Sequence, residues 1–495
     1  MAPSGDGRYG LEYMQWDPVA RIEISRVPTP IPSRSLHPLL YSEREAFLAR
    51  FKRILTQNDY AYSYMLEYDG RPESLAGIDD TIYAAAYEAS TVVRPKVVAI
   101  GVGGGFDILT ALFFDASRVT GVEVNGATLD ILRRVYADYF RPWVTDPRVA
   151  LVEDDGRHFL AESTDLYDVI QLSGVDSYSG TPGAAHVFSE SYLYTAEAFD
   201  LYLSRLSEEG IVNMMRLEYL PPREMLRALV TAVGSLRRAG VAEPARHVIM
   251  LTGNGDNFTA MLVKKTPFTR EQEEKLRAWA ARTGTFYVSA APGAGQERKS
   301  LYQLFLGAGD PGREAEFVRV YPFDVSPATD DRPFFFNYSY WSHLLSTSPS
   351  GWPLMQVTVL LLTALVGIAA VVCVYLPLRS MAGADRPAAP WRATLYFALI
   401  AVGYMAIEIA LLQKFGVFLG HPNYALSVVL AALLLSTGIG ALASGAIVRG
   451  PGRLRFVSYT LAFLLLLAHL VVFPRLMDWV ALPFAVRASI VFALV

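Results

Sequence analysis

Apolar residues are unevenly distributed along the chain, and their density rises sharply after about residue 350. Residues 354–378 form a stretch of 25 without a charged side chain, more than the roughly 20 that an α-helix needs to cross a bilayer. Further apolar stretches occupy residues 393–412, which contain Glu408, and residues 424–448 and 456–474. A fifth apolar run begins near residue 480, contains Arg487 and is still apolar at Val495, so we expect the sequence to be a piece of a longer protein. The pattern predicts an all-α transmembrane bundle with four complete spans and a truncated fifth.

Before residue 350, short apolar runs alternate with longer amphipathic stretches, as in βαβ units. Buried strands are predicted at residues 96–101, 119–124, 149–153, 167–172 and 210–215, with helices at 107–114 and 126–140. Residues 247–251 and 258–263 are predicted to close the sheet as an antiparallel pair. The order predicts an α/β class with a doubly wound, Rossmann-like sheet, preceded by a small β region with strands at 20–27 and 61–70.

These patterns divide the chain into four regions. The predicted regions are an N-terminal β region at 1–90, a Rossmann-like domain at 91–270, an α/β extension at 271–345 and transmembrane helices at 346–495.

Composition narrows the classes of function. The chain holds 44 Lys and Arg against 48 Asp and Glu, a net charge of −4, and so lacks the positive surplus that nucleic-acid binding needs. Its single cysteine, Cys373, excludes an intramolecular disulfide framework and any zinc site with two thiolates. A metal site built from His and carboxylates stays open by this count. We predict no nucleic-acid partner and no metal site. The first ten residues have neither the basic region nor the apolar core of a signal peptide.

A glycine-rich loop lies directly between a predicted strand and a predicted helix. Its glycines are Gly101, Gly103, Gly104 and Gly105, and Asp107 follows them at the start of the helix. Glycines let the backbone turn tightly and approach a ligand, while the helix N-terminus offers free N–H groups. A tight turn without a ligand is the structural alternative. The context favours a cofactor-binding loop that includes all five residues.

Two acidic positions follow the next two predicted strands. Glu123 ends the strand after the glycine loop, where a carboxylate can accept the hydroxyl hydrogens of a ribose. Asp155, followed by Gly156, comes after the third strand, within reach of an adenine amino group. A solvated strand end and a helix N-cap are the structural alternatives. The chain lacks the Gly-Lys-Ser/Thr of a phosphate loop, and an S-adenosyl ligand is favoured over a dinucleotide.

At these positions the chain resembles the spermidine synthase family. The similar motifs are Asp69-Gly70, residues 79–83, the glycine loop, Glu123, Asp155-Gly156, residues 167–170 and Asp176. Residues 192–199, 329–335 and 408–440 are similar to the membrane-fused bacterial branch of that family. The resemblance implies an S-adenosylmethionine-methyltransferase-like fold and transfer of an aminopropyl group from decarboxylated S-adenosylmethionine to an amine or polyamine.

The candidate catalytic residues depart from the family pattern. Ser173 stands where the family has the Asp that helps to deprotonate the attacking nitrogen, and Tyr83 is followed by two alanines. Asp176 matches the family's second, substrate-holding Asp; its structural alternative is an Asx turn. His186, in the loop that closes over substrate in the family, is a candidate replacement base, or simply a surface residue.

Two other functions stay open on the sequence. An S-adenosylmethionine-dependent methyltransferase would share the pocket and needs only a positioned nucleophile, which suits Ser173. A non-catalytic sensor or transporter would use the nucleoside site to gate the helices around Glu408, an ionisable residue within the second span. Glu408 serves either such a function, with His421 or Asn423 as partner, or a structural helix-to-helix hydrogen bond. A homo-oligomer is left open.

The side of the membrane on which the first 350 residues lie is predicted differently by two arguments. Residues 379–392 and 449–455 contain three Lys or Arg each, whereas each of the other connectors contains one. The positive-inside rule therefore assigns these two Lys- and Arg-rich connectors to the cytoplasm. That puts the N-terminal region outside. The missing export signal and the cytosolic origin of S-adenosyl compounds favour the opposite side. We predict a bacterial inner-membrane protein whose soluble region is cytoplasmic.

Overall fold

The computed structural model describes residues 10–17, 20–27, 45–58, 61–175, 190–254, 258–293, 300–344, 354–377, 390–420, 422–447 and 450–495. The chain divides into two compact units. The first comprises Met1–Gly156 and Ser163–Val357, and the second comprises Arg157–Glu162 and Thr358–Val495.

An antiparallel sheet of four strands opens the first unit. The strands are β1 (Leu11–Trp16), β2 (Arg21–Arg26), β3 (Phe51–Gln57) and β4 (Ala61–Leu66), in the order β1-β2-β3-β4. The sequence predicted β2 and β4 only. It missed β1 because that edge strand buries none of its residues and has no apolar alternation, and it missed β3 because Lys52 and Arg53 interrupt the apolar pattern.

A second sheet has eight strands and carries the predicted doubly wound topology. Its strands are β5 (Lys96–Ile100), β6 (Arg118–Glu123), β7 (Val149–Glu153), β8 (Tyr167–Ser173), β9 (Leu206–Leu217), β10 (Val248–Gly253), β11 (Phe258–Lys264) and β12 (Phe286–Ala290). They lie in the order β12-β10-β11-β9-β8-β5-β6-β7. Strands β5 to β9 are parallel, and β10, β11 and β12 pair antiparallel. The predicted α/β class and Rossmann-like sheet are confirmed.

The central strands of the eight-stranded sheet are deeply buried, which explains why they could be predicted from the sequence. Four of the five residues of β5 are buried, and all seven residues of β11 are buried. Strands covered on both faces, such as the parallel β5 and the antiparallel β11, read as continuous apolar runs. The expectation of a closing antiparallel pair holds for β10 and β11, but β12 adds a further antiparallel strand beside β10. The sequence missed this strand, three of whose five residues are buried.

Helices of the first 344 residues connect and cover these strands. They are Glu45–Leu48, Ala85–Ala89, Phe106–Phe113, Gly126–Asp130, Ala137–Val144, Gly156–Glu162, Ala196–Arg205, Glu224–Arg238, Arg270–Thr283, Leu301–Leu306 and Pro311–Val320. The segment predicted as one helix at residues 126–140 is helical, but it is not one continuous α-helix. It is interrupted by a wider turn, Ile131–Val135, in which the N–H of Tyr136 donates to the carbonyl of Ile131, five residues back, at 2.8 Å.

One hydrophobic core joins both sheets of the first unit and fixes the helix Phe106–Phe113. The ring of Phe106 stacks on Phe51 of β3, with 6.2 Å between centroids, and lies 4.5 Å from the ring of Tyr83. Burying such aromatic side chains supplies about 2–3 kcal/mol each relative to exposure. The start of this helix, which carries Asp107, is therefore held from two sides.

The second unit is dominated by apolar helices. They are Leu354–Ala370, Pro390–Leu419, Pro422–Ile447, Pro451–Leu467 and Phe484–Leu494. Among the described residues, four segments are long and apolar enough to cross a membrane, namely Gln356–Cys373, Leu395–Leu419, Tyr424–Ile447 and Gly452–Leu476. Phe415, Phe418, Val429 and Val491 form a buried cluster among the later helices. The four predicted apolar helices are confirmed by length and composition.

Candidate functional site

The predicted site residues follow the carboxyl ends of four neighbouring strands. Ser173 ends β8, Gly101 follows β5, Glu123 ends β6 and Asp155 comes two residues after β7. The spatial order β8-β5-β6-β7 means that the chain turns back between β5 and β8. In open α/β sheets, ligands bind at the carboxyl ends of strands beside such a switch point. The topology brings these four positions to one edge of the sheet.

The glycine loop adopts a backbone that requires glycine. Gly101, Gly103 and Gly105 have φ values of +80°, +48° and +86°, in the left-handed region. The loop also lies against protein atoms. A Cβ on Gly104 would collide with the carbonyl oxygen of Tyr64, and one on Gly105 would collide with the indole of Trp143. Packing against Val175, β4 and Trp143 therefore already requires these glycines, which were predicted to contact a ligand.

Ser63 is a hydrogen-bond partner of the glycine loop that was not predicted from the sequence. Its Oγ accepts a hydrogen bond of 2.9 Å from the N–H of Gly104. Ser63 lies in β4, so the antiparallel sheet supports the glycine loop directly. The sequence contained only a weak indication of this contact, because Ser63 is a small polar residue in the strand Ala61–Leu66 and lies 41 positions before Gly104.

Glu123 is buried beside the glycine loop, at 4% exposure. Its Oε2 accepts from the N–H of Gly103 at 3.1 Å, and its Oε1 accepts from the N–H of Asn125 at 3.0 Å. Burial raises the pKa of this carboxyl, and backbone hydrogen bonds from Gly103 and Asn125 partly offset the rise. The carboxylate is thus held at a fixed position at the end of β6. Its contact with a ribose stays a prediction.

Asn125 was not predicted as a site residue. Its Oδ1 caps the helix Gly126–Asp130 by accepting from the N–H of Ala127 at 3.1 Å. Its Nδ2 is buried and has no hydrogen-bond partner among the described residues. A buried donor in this state costs free energy unless something satisfies it. Asn125 therefore offers a hydrogen-bond donor next to Glu123.

Asp155 and Gly156 form the turn between β7 and the next helix. The N–H of Asp155 donates to Oδ1 of Asp154 at 2.8 Å, and Asp155 is partly buried. Gly156 begins the helix Gly156–Glu162, and a Cβ there would collide with the side chain of Ile100 in β5. Close packing of helix against strand accounts for Gly156. The adenine contact of Asp155 stays a prediction.

Asp107 and Ser173 are brought together by the fold. The hydroxyl of Ser173 donates a hydrogen bond of 2.8 Å to Oδ1 of Asp107, and Nε2 of Gln171 donates to Oγ of Ser173 at 3.1 Å. Asp107 is 5% exposed, whereas Ser173 is only partly buried. Burial raises the pKa of Asp107 to about 7, against the lowering effect of hydrogen bonds from Ser173 and Gln171. Asp107 was predicted to belong to the cofactor loop, and its pairing with Ser173 was not predicted.

The other candidates differ in how far the structure describes them. Tyr83 is 8% exposed, and its pKa is raised well above 10 by burial and by the nearby charge of Asp107. It stays protonated over the physiological range and is no base. Asp176 and His186 lie outside the described residues. Glu408 lies in the helix Pro390–Leu419 of the second unit and is partly buried.

The chain is similar in sequence to proteins named polyamine aminopropyltransferases. The chain is 28% identical over 189 residues to polyamine aminopropyltransferase 2 of Pseudomonas aeruginosa, covering 37% of this chain and 51% of that protein. It is 29% identical over 139 residues to the polyamine aminopropyltransferase of Streptococcus pneumoniae, covering 27% and 45%. The chain thus spans about half the length of these curated relatives. No family model matches it.

Among solved structures, the chain is similar to a probable spermidine synthase from Corynebacterium glutamicum. The alignment covers 61% of this chain and 95% of the Corynebacterium chain. The identity is 15% and the TM-score is 0.38. The class of fold rests on the strand order described above rather than on this match. The resemblance to the spermidine synthase family that the motifs indicated is confirmed, and the apolar helices agree with a membrane-fused branch.

Proposed function

We propose that this chain is a membrane-anchored transferase that passes an aminopropyl group from decarboxylated S-adenosylmethionine to a small amine or polyamine. The observation that carries the proposal is its similarity to relatives named polyamine aminopropyltransferases. The four long apolar helices support the membrane anchor. The soluble region is proposed to face the cytoplasm, where S-adenosyl compounds are made.

The donor would bind at the carboxyl edge of the parallel strands. Glu123 would accept hydrogen bonds from the ribose hydroxyls, because its carboxylate is buried beside the glycine loop. The unpartnered Nδ2 of Asn125 would donate to the same nucleoside. Gly101, Gly103 and Asp155 would line the rest of this pocket. This arrangement uses no metal ion.

The chemistry requires a neutral amine. The nitrogen of the acceptor attacks the carbon beside the sulfonium, and the C–S bond breaks with its electron pair going to sulfur, which releases methylthioadenosine. An ammonium has no lone pair for this attack, so one proton must leave the acceptor first. The methyltransferase alternative would instead transfer the methyl group and release S-adenosylhomocysteine.

Product analysis tests the proposal. The purified full chain in detergent would be incubated with decarboxylated S-adenosylmethionine and putrescine, and in parallel with S-adenosylmethionine. Methylthioadenosine from the first mixture supports aminopropyl transfer, whereas S-adenosylhomocysteine from the second supports methyl transfer. Neither product, with heat of binding detected by calorimetry, would favour a sensor. Absence of both products and of binding would remove every S-adenosyl function.

A further inference from the structure

The carboxylate that the spermidine synthase resemblance places at position 173 is replaced by a hydroxyl, yet a carboxylate is still present one hydrogen bond away. Oδ1 of Asp107 lies 2.8 Å from Oγ of Ser173. Asp107 comes from the helix after β5, and Ser173 ends β8, the strand that pairs with β5. The pair therefore lies beside the point at which the strand order reverses. Ligands bind at such points in doubly wound sheets.

The hydrogen bonds around Ser173 define which role its hydroxyl oxygen plays toward each neighbour. A hydroxyl has one donor and two acceptor lone pairs. Its proton is committed to Asp107, and one lone pair accepts from Nε2 of Gln171. Ser173 is partly exposed while Asp107 is buried, so the remaining lone pair is the group of this pair that a ligand can reach. That lone pair can accept a proton from an N–H donor.

We propose that Asp107 is the proton acceptor of the aminopropyl transfer and that it acts through the hydroxyl of Ser173. This inference rests on the proposed function. The acceptor ammonium donates to Oγ of Ser173. As that proton moves onto Oγ, the original hydroxyl proton of Ser173 passes to Oδ1 of Asp107. The amine then carries the lone pair that forms the N–C bond. The proton returns from Asp107 to solvent by the same route after product release.

The surroundings of Asp107 suit this role. Tyr83 and Tyr87 are its titratable neighbours, and burial keeps the pKa of both well above 10, so they stay neutral while Asp107 changes charge. The pKa of about 7 lets Asp107 take up and release a proton near neutral pH. In this assignment Ser173 touches the substrate, and Asp107 is a positioning residue that acts through it.

The test compares variants of the full chain by the rate at which methylthioadenosine forms from decarboxylated S-adenosylmethionine and putrescine. Asp107→Asn and Ser173→Ala are each expected to lower kcat about 100-fold, the usual contribution of general base catalysis, with the KM for the donor within about twofold of wild type. The wild-type kcat is expected to rise with pH through about 7. That rise is expected to be absent in Asp107→Asn. Asp138→Asn, an exposed carboxylate on the helix Ala137–Val144, is the matched control.

A rescue variant separates the proton pathway from a structural role. In Ser173→Asp combined with Asp107→Asn, the carboxylate returns to the family position. We expect kcat to recover at least about tenfold over Asp107→Asn, with the rise in kcat shifted to lower pH because the new carboxylate is less buried. An active wild-type enzyme with an equally active Asp107→Asn variant would overturn this inference alone. A wild-type chain that releases no methylthioadenosine would overturn both this inference and the proposed function.

Discussion

The backbone N–H of Gly103 donates a 3.1 Å hydrogen bond to Oε2 of Glu123, so the glycine loop and the end of β6 are joined through one buried carboxylate. The fold places this contact at the carboxyl edge of the parallel strands, next to the unpartnered Nδ2 of Asn125.

Glu123→Gln is expected to weaken the binding of methylthioadenosine at least tenfold, which corresponds to about 1.4 kcal/mol. The amide has only one acceptor oxygen, so it cannot serve both backbone donors and two ribose hydroxyls as the carboxylate can. Isothermal calorimetry on the full chain measures the change. Glu153→Gln is the control, because Glu153 pairs with Glu123 in register at the exposed end of β7. Equal affinity in Glu123→Gln and wild type would make the carboxylate purely structural.

Gly105→Ala is expected to destabilise the chain more than Gly240→Ala. Both glycines have left-handed backbones, with φ of +86° and +89°, so alanine adds about 1 kcal/mol of strain at either position. Only at Gly105 does the new methyl group also meet a buried ring, that of Trp143, which adds about 1–3 kcal/mol of overpacking. The thermal unfolding midpoint of the full chain in detergent measures both changes.

Trp143→Phe in the Gly105→Ala background provides the check on this explanation. The smaller ring leaves room for the methyl group, so part of the lost midpoint should return. If Gly105→Ala and Gly240→Ala lower the midpoint equally, the contact with Trp143 contributes nothing.

How far the sequence predicted the fold depended on burial. The parallel strands β5, β6, β8 and β9 were found because most of their residues are buried, which gives continuous apolar runs. The edge strand β7 is only partly buried and was found from its apolar residues alone. The antiparallel strands β1, β3 and β12 were missed because tertiary pairing, and not an apolar period, holds them in the sheet.

The site was predicted in the same uneven way. Glycines and acidic residues at strand ends follow local rules, so the glycine loop and Glu123 could be named from the sequence. The pairing of Asp107 with Ser173 joins residues 66 positions apart, and the support of Gly104 by Ser63 joins residues 41 apart. Asp107 and Ser173 meet because β5 and β8 are neighbours in the eight-stranded sheet, and Ser63 meets Gly104 because the two sheets pack around one core. The chemistry at position 173 could therefore not be judged from that position alone.

Glu224→Gln is expected to lower the stability of the full chain by about 3–5 kcal/mol. Nε of Arg216 lies 2.7 Å from Oε2 of Glu224, and both side chains are almost fully buried, at 2% and 6% exposure. Removing the anion leaves the Arg216 cation buried without its charge partner. Denaturant titration in detergent measures the loss. The exposed pair of Arg238 and Asp200 is the control, since Asp200→Asn should cost at most about 1 kcal/mol. Equal losses of stability in Glu224→Gln and Asp200→Asn would show that burial does not increase the contribution of the Arg216–Glu224 ion pair.

Glu218 is expected to make the fold less stable as pH rises. Burial raises the pKa of Glu218 to about 7, although hydrogen bonds from the hydroxyl of Tyr302 and the N–H groups of Arg223 and Tyr219 favour the charged form. The folded state therefore binds a proton more tightly than the unfolded state, in which the pKa is near 4.5. Stability that is present below pH 4.5 is lost as pH rises to about 7, by about 3 kcal/mol.

Unfolding midpoints of the full chain at pH 5 and pH 8 measure this loss. Glu218→Gln removes the titrating group, so the midpoint should fall less between the two pH values than in wild type. A part of the fall should remain, because Asp107 titrates in the same direction. Glu316→Gln is the control, since an exposed carboxyl whose pKa is lowered by Arg319 does not titrate in this range. The same fall in Glu218→Gln and wild type would exclude Glu218 as its source.

The membrane orientation can be decided by two reporters fused at the same positions. With the soluble region in the cytoplasm, green fluorescent protein at residue 1 should fluoresce and alkaline phosphatase there should be inactive. Alkaline phosphatase fused after residue 385, in the connector that follows the first apolar span, should be active because that span carries it to the other side. The six Lys and Arg of residues 379–392 and 449–455 oppose this arrangement by the positive-inside rule. Alkaline phosphatase activity at residue 1, with fluorescence after residue 385, would reverse the orientation and remove the access to cytosolic S-adenosyl donors on which the proposed function depends.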